Sequence, residues 1–299
     1  MKILGQPQVR PDMVFSLLRL MDANDGSMNA DEVFAWMGPS VASDATSPTA
    51  KKTMELIEHT ADVARSLGFI QEKRWALERP APSDYITFGY ELHDAFLATQ
   101  EWDVIDTYAS LIVEIELQGV NWMIGLSAAD LAKRLGERVQ KPASDSPSRP
   151  KESANMNPSR WAAWRSWATA AGLGVPGPAN VSEFFPNPVL LVERVARSHP
   201  QLQSGSELTA PEFLKVISKE LPFLDNGARA VVAWERAGNA PRIGGPVSFV
   251  LSASLRELHY RKVLELRFEG GDRAGARQLH SDGSELESFA TVRLAKETA

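Results

Sequence analysis

The 299-residue chain contains no cysteine. Disulfides, thiolate metal sites and cysteine nucleophiles are therefore excluded together. Histidine is scarce as well. His59, His93, His199, His259 and His280 are scattered singly, none forms a paired-histidine helix motif, and without cysteine a zinc finger is impossible. Long hydrophobic runs are missing: nothing approaches the roughly 18 apolar residues of a spanning helix. The opening Met1-Lys2-Ile3-Leu4-Gly5-Gln6-Pro7 lacks the apolar core of a signal peptide. A cytoplasmic protein with no membrane partner is expected. A strongly basic domain, the usual signature of tight duplex binding through phosphates, is also wanting, since the net charge is −6.

Catalytic patterns are equally thin. Gly172-Leu173-Gly174, Gly244-Gly245 and Gly270-Gly271 do not follow a buried strand and open a helix, so no phosphate-cradling loop is present. No nucleophile elbow occurs. The acidic pairs Glu114 with Glu116 and Glu55 with Glu58 lie in helical patterns and read as solvated faces, not as catalytic carboxylates. No catalytic residue, metal or cofactor is expected, and the chain does not read as an enzyme.

Hydrophobic residues make up 43% of the chain and charged ones 23%, enough to bury cores in two domains at roughly 100–200 residues each. Charge is unevenly placed. Residues 1–89 carry a net of −3, residues 90–140 a net of −6, residues 141–207 a net of +2 and residues 208–299 a net of +1. Lys141 to Pro158 is rich in proline and serine and almost free of large apolar residues, as in a linker. The organisation expected is an N-terminal region 1–140, a linker 141–158 and a C-terminal region 159–299.

In the first region the spacing predicts a helix over about 13–21 and a short helix behind the capping box Asn29 and Glu32. A third helix is predicted over about 49–67, closed by Gly68. Phe69-Ile70, Trp75-Ala76-Leu77 and Tyr85-Ile86-Thr87-Phe88 read as short strands. Three helices followed by a hairpin is the order of a winged helix, here 9–89. Residues 90–140 continue as helices, with Trp102, Ile105, Tyr108, Ala109, Ile112 and Ile115 on one stripe. Such an extension either forms a homodimer or, more in keeping with the pattern, covers the same core.

The C-terminal region repeats the theme. Helices are predicted from Pro158 to Ala171, from Val189 to Ala196, behind Thr209, over 228–237 and from Pro246. Alternating stretches follow at 264–268 and 289–294, giving a second winged helix over 208–296. Trp161, Trp164 and Trp167 read as a core anchor in preference to a base-stacking platform. The fold class expected is mainly α with small β-hairpins: two winged-helix units plus a helical extension.

If such units touch DNA, the third helix of each enters the major groove while the wing touches the backbone. The first unit's helix opposes its apolar stripe with Lys51, Glu55, Glu58, Asp62 and Arg65, so only Thr49, Lys51 and Lys52 at its start suit DNA. The last unit's helix opposes its core with Ser248, Ser252, Arg256 and His259, a face free of acid. Arg261 and Lys262 follow, and Arg267, Arg273 and Arg277 lie in the wing. Arg256 suits guanine and Arg267 phosphate. A solvated helix face is the alternative.

The opening Met1 to Pro7, the Leu67-Gly68-Phe69 helix end, the Trp164 to Gly174 stretch, Phe185-Pro186-Asn187-Pro188, and Leu251 to Leu258 followed by Val263-Leu264-Glu265-Leu266 stand together over nearly the whole chain. In these the chain resembles the DpdG proteins of bacterial gene clusters that install 7-deazaguanine bases in DNA. The resemblance implies an accessory, DNA-associated component of a phage-defence modification and restriction system. Its partners would be other proteins of its cluster and double-stranded DNA. It supplies no catalytic residues, and the acidic stretch 90–140 departs from a DNA role for the first region. An interaction scaffold or a transcription regulator is the alternative.

Overall fold

The computed structural model describes residues 3–38, 47–99, 102–140, 156–177, 182–241, 244–268, 275–281 and 283–295. Within these the chain is mainly helical with small antiparallel sheets. The expected linker falls almost wholly outside the described residues, as does most of the break between Gly38 and Pro48. Two compact units emerge. One comprises 1–104 with 156–171, the other 105–155 with 172–299.

Unit 1 holds a short 3-10 turn (Ile3–Gly5), α1 (Pro11–Asp22), α2 (Ala30–Met37), α3 (Pro48–Ser66), α4 (Tyr85–Ala98) and α7 (Pro158–Ala170). Local chemistry sets most of the boundaries. Asn29 accepts from the Glu32 amide at 2.9 Å while Glu32 accepts from the Asn29 amide at 2.9 Å, a reciprocal cap that starts α2. Ser47 caps α3, and Gly68 ends it with φ +72°, a left-handed conformation that glycine adopts without strain. The chain then turns back on itself. Ile70 bridges to Leu77, and Ala76 bridges to Ser27, which lies between α1 and α2. α1 and α2 both pack on α3.

The expected strand over 85–88 is instead the first turn of α4. Asp84 accepts from the Thr87 amide at 2.8 Å, and Phe88, Leu92 and Phe96 fall on one buried helical stripe. The alternation over four residues was the weaker of two signals. α7 contributes Trp161, Trp164 and Trp167, all fully buried as expected of a core anchor. Trp164 Nε1 donates to the Val104 carbonyl at 3.0 Å, and Trp161 stacks on Trp164 at 4.8 Å. At Gly89, α4 approaches α7 so closely that a Cβ would lie 2.4 Å from the Ala170 carbonyl oxygen.

Unit 2 contains most of α5 (Trp102–Gln118), α6 (Ala128–Gln140), β1 (Gly174–Pro176), β2 (Phe184–Pro186), α8 (Val189–Ser198), α9 (Pro200–Gln203), β3 (Leu208–Thr209), α10 (Ala210–Glu220), α11 (Ala228–Arg236) and α12 (Phe249–Tyr260). The strands β4 (Leu264–Arg267), β5 (Arg277–Gln278), β6 (Ser288–Phe289) and β7 (Thr291–Leu294) complete it. β1 pairs with β2, β5 with β6, and a three-stranded sheet runs β3-β7-β4. α10 and α12 pack on α8, whereas α11 packs on α6. The sequence reading grouped 210–220, 228–237 and 246–261 as one bundle; the helix that joins the first and last of these is α8. Helix α12 starts at Phe249, not at Pro246, because Ser248 caps it by accepting from the Leu251 amide. The expected terminal strand is divided at Ala290: 288–289 pairs with 277–278 and 291–294 with 264–267.

Candidate functional site

The sequence singles out α12, and within unit 2 the structure gives each side chain on its polar face a hydrogen-bond partner. Ser248 donates its amide and hydroxyl to Asp225, at 2.8 and 2.9 Å. Ser252 is 0% exposed; its hydroxyl donates to the Val247 carbonyl at 3.1 Å and accepts from the His280 amide at 2.9 Å. Arg256 is 5% exposed, and its guanidinium donates to the carbonyls of His280 and Leu286 at 2.8–3.1 Å. His259 Nδ1 accepts from the Leu266 amide at 3.2 Å, which leaves the neutral ring's proton on Nε2.

The solvent-facing, acid-free surface expected of α12 is therefore not there. Ser252 and Arg256 point into the chain's own segment 277–289, which lies across them. The physical reason is satisfaction of backbone groups. The short β5–β6 ribbon leaves carbonyls at 280 and 286 outside any ladder, and a planar guanidinium with five donors can serve several at once. An acid-free polar stripe on a helix thus marks a bracing face here, buried under a ribbon that a helical wheel cannot anticipate.

The remaining candidates divide. Arg261 is exposed but pairs with Glu193 at 3.2 Å and Glu257 at 3.5 Å. Lys262 is exposed, in a left-handed turn at φ +56°. Arg267 is half-buried between Glu207 and Glu265, each at 2.9 Å. The 265 carboxyl is held below its ordinary range by a hydrogen bond from Arg293 and, to a lesser degree, from Arg267. Arg273 lies outside the described residues, and Arg277 is half-buried at the start of β5. Lys51 and Lys52 are exposed in the first turn of α3, a turn with no acidic residue; Glu55 and Glu58 follow, exposed as expected.

Charged groups that the sequence reading passed over or placed on a solvated face are buried or half-buried in unit 2. Asp106 is 1% exposed and sits between Arg229, whose Nε is 2.6 Å away, and Arg236 at 2.7 Å. Glu114, 3% exposed, accepts from Arg138 Nε at 2.5 Å and from Gln118. Glu116 is half-buried. The pair Glu114 and Glu116 is consequently not a solvated face. A signal was present: Asp106 interrupts the apolar stripe of Ile105, Tyr108, Ala109 and Ile112, and an acid on such a stripe needs a partner. Among the described residues no group of three or more histidines or carboxylates could hold a metal ion, and no helix is long and apolar enough to cross a membrane.

A protein-family model described as DpdG-like matches residues 1–269, and the chain belongs to that family. No curated protein and no solved structure matches it.

Proposed function

We propose that this chain is a non-catalytic assembly component of a DpdG-type DNA-modification and restriction system, whose units are winged helices used to dock partner proteins. The winged-helix reading is supported by element order. In unit 1, helix, bridge residue, helix, helix and two bridge segments follow one another, and Ala76-Leu77 is joined to both Ser27 and Ile70. In unit 2, α8, β3, α10, α12, β4 and β7 follow the same order, with β7 between β3 and β4. The link to DNA modification comes from membership of the family.

The observation that carries docking over base reading is the burial of Ser252 and Arg256 beneath segment 277–289. A recognition helix must present side chains to base edges, and these two are engaged with the backbone. Trp36, 69% exposed on α2, is a large aromatic of the kind enriched in protein interfaces. One observation favours a second reading, backbone contact with DNA by unit 1: Lys51 and Lys52 stand exposed in an acid-free helix start.

An electrophoretic shift on duplex DNA separates the two. Docking predicts no shift by the purified chain at 50 mM salt. Contact through the two lysines predicts a weak shift abolished by Lys51→Glu with Lys52→Glu. With two phosphates neutralised, affinity would fall about twelvefold between roughly 50 and 200 mM salt. That result would replace the docking reading.

A further inference from the structure

The last turn of α5 and the second half of α6 form a cleft of about 300 Å³ in unit 2, lined among the described residues by Glu114, Gln118, Arg134, Glu137 and Arg138. Helical spacing assembles it. Residues 114 and 118 share one face of α5, and 134 and 138 share one face of α6 with 137 beside them. No apolar side chain is among the five, so the cleft suits a ligand that is polar throughout. Its size lies at the lower end of small-molecule sites.

The floor is fixed. Glu114, 3% exposed, accepts from Arg138 Nε at 2.5 Å and from Gln118. Arg138 Nη1 donates to the Ala237 carbonyl at 3.4 Å, so the guanidinium is held at two points while its Nη2 donors have no partner among the described residues. A buried carboxylate that orients an arginine leaves the planar fork ready for a second oxyanion, with little side-chain freedom still to be lost. The rim is open. Arg134 and Glu137 are exposed, and neither makes a hydrogen bond or ion pair with a described residue. Asp130, one turn before Arg134, is engaged by Ser127, whose hydroxyl donates to it at 2.6 Å.

We propose that this cleft binds a free α-amino acid in its zwitterionic form. Arg134 and Arg138, one helical turn apart, hold the carboxylate; Glu137 and the side-chain oxygen of Gln118 accept from the ammonium. Charge selects this class. The cleft carries two guanidinium groups and two carboxylates, so a ligand of no net charge with separated poles meets an opposite charge at each end. A phosphate dianion would face Glu114 and Glu137 with nothing to offset them, and a simple amine would face both arginines. This inference rests on unit 2 alone and is independent of what either unit docks.

The test is calorimetric titration of the full chain at low salt with each of the common amino acids, at concentrations up to roughly 10 mM. Saturable binding by at least one of them, with a Kd below about 1 mM, is expected. Blocking either pole of that amino acid, by N-acetylation or as the methyl ester, should weaken binding about tenfold or more. Arg134→Gln should weaken it by about tenfold. Glu137→Gln should remove the preference for the amino acid over its N-acetyl derivative. Both side chains are exposed, so the variants should keep the wild-type melting temperature. Absence of binding by every amino acid, equal binding of inorganic phosphate, or amino-acid binding that survives both substitutions would overturn the proposal.

Discussion

Units 1 and 2 share a series of elements, interrupted in unit 2 by α9 and α11, yet use its last helix in opposite ways. Each has a helix, a short β segment, a helix that opens with a capping box (Asn29 with Glu32, Thr209 with Glu212), a later helix, and a returning pair of β segments. In unit 1 the outer face of α3 carries exposed charges of both signs. In unit 2 the corresponding face of α12 is consumed by the chain itself. The turn between Ile70 and Leu77 in unit 1 is short, whereas residues 268–290 separate β4 from β7 in unit 2, and the backbone of His280 and Leu286 among them is bonded to its helix. A longer return path converts a polar face from a surface into an interior. Composition of a helix face is therefore no guide to its role until the segment after it has been placed.

That contrast can be broken most severely at Arg256. Arg256→Ala strips donors from the carbonyls of 280 and 286 in a buried setting and should cost unit 2 about 3 kcal/mol in urea unfolding. A loss below about 0.5 kcal/mol would mean that the segment does not hold the helix. In unit 1 the counterpart weak point is a backbone approach, not a polar face. Gly89→Ala forces α4 from α7 and should cost about 1–3 kcal/mol, read as a lowered melting temperature. The shared feature should respond equally in both units: Asn29→Ala and Thr209→Ala should each cost about 1 kcal/mol, and a difference of more than twofold would break the parallel. The smallest effect belongs to the exposed lysines. Lys51→Ala with Lys52→Ala should change stability by less than about 0.5 kcal/mol, since neither is buried.

Acidity distinguishes the regions too. The net of −6 over residues 90–140 is not all solvent-facing charge. Asp106 is buried against Arg229 and Arg236, so part of the imbalance is settled by arginines from elsewhere in unit 2, while Glu114 pairs with Arg138 of the same region. Breaking one side of such a pair leaves an uncompensated buried charge.

Much of the local structure was legible beforehand. The capping box at Asn29, the cap at Thr209, the helix end at Gly68 and the tryptophans of α7 all depend on residues within a turn or two of one another. Tyr85 to Phe88 was misread because a four-residue alternation competes poorly with a cap at Asp84 and a stripe running to Phe96. The placement of α8 against α12, the burial of Ser252 and Arg256, and the meeting of Glu116 with Asp225 depend on segments 24 to 109 positions apart.

The amino-acid order by itself determined where most helices begin and end, that the tryptophans of α7 are buried and that the chain is mainly helical, because caps, periodicity and apolar area act over short stretches. Which polar side chains face water was decided only by the tertiary structure. A hydroxyl or guanidinium is equally at home in solvent or against an unpaired carbonyl, and only the folded path of a distant segment brings that carbonyl within reach.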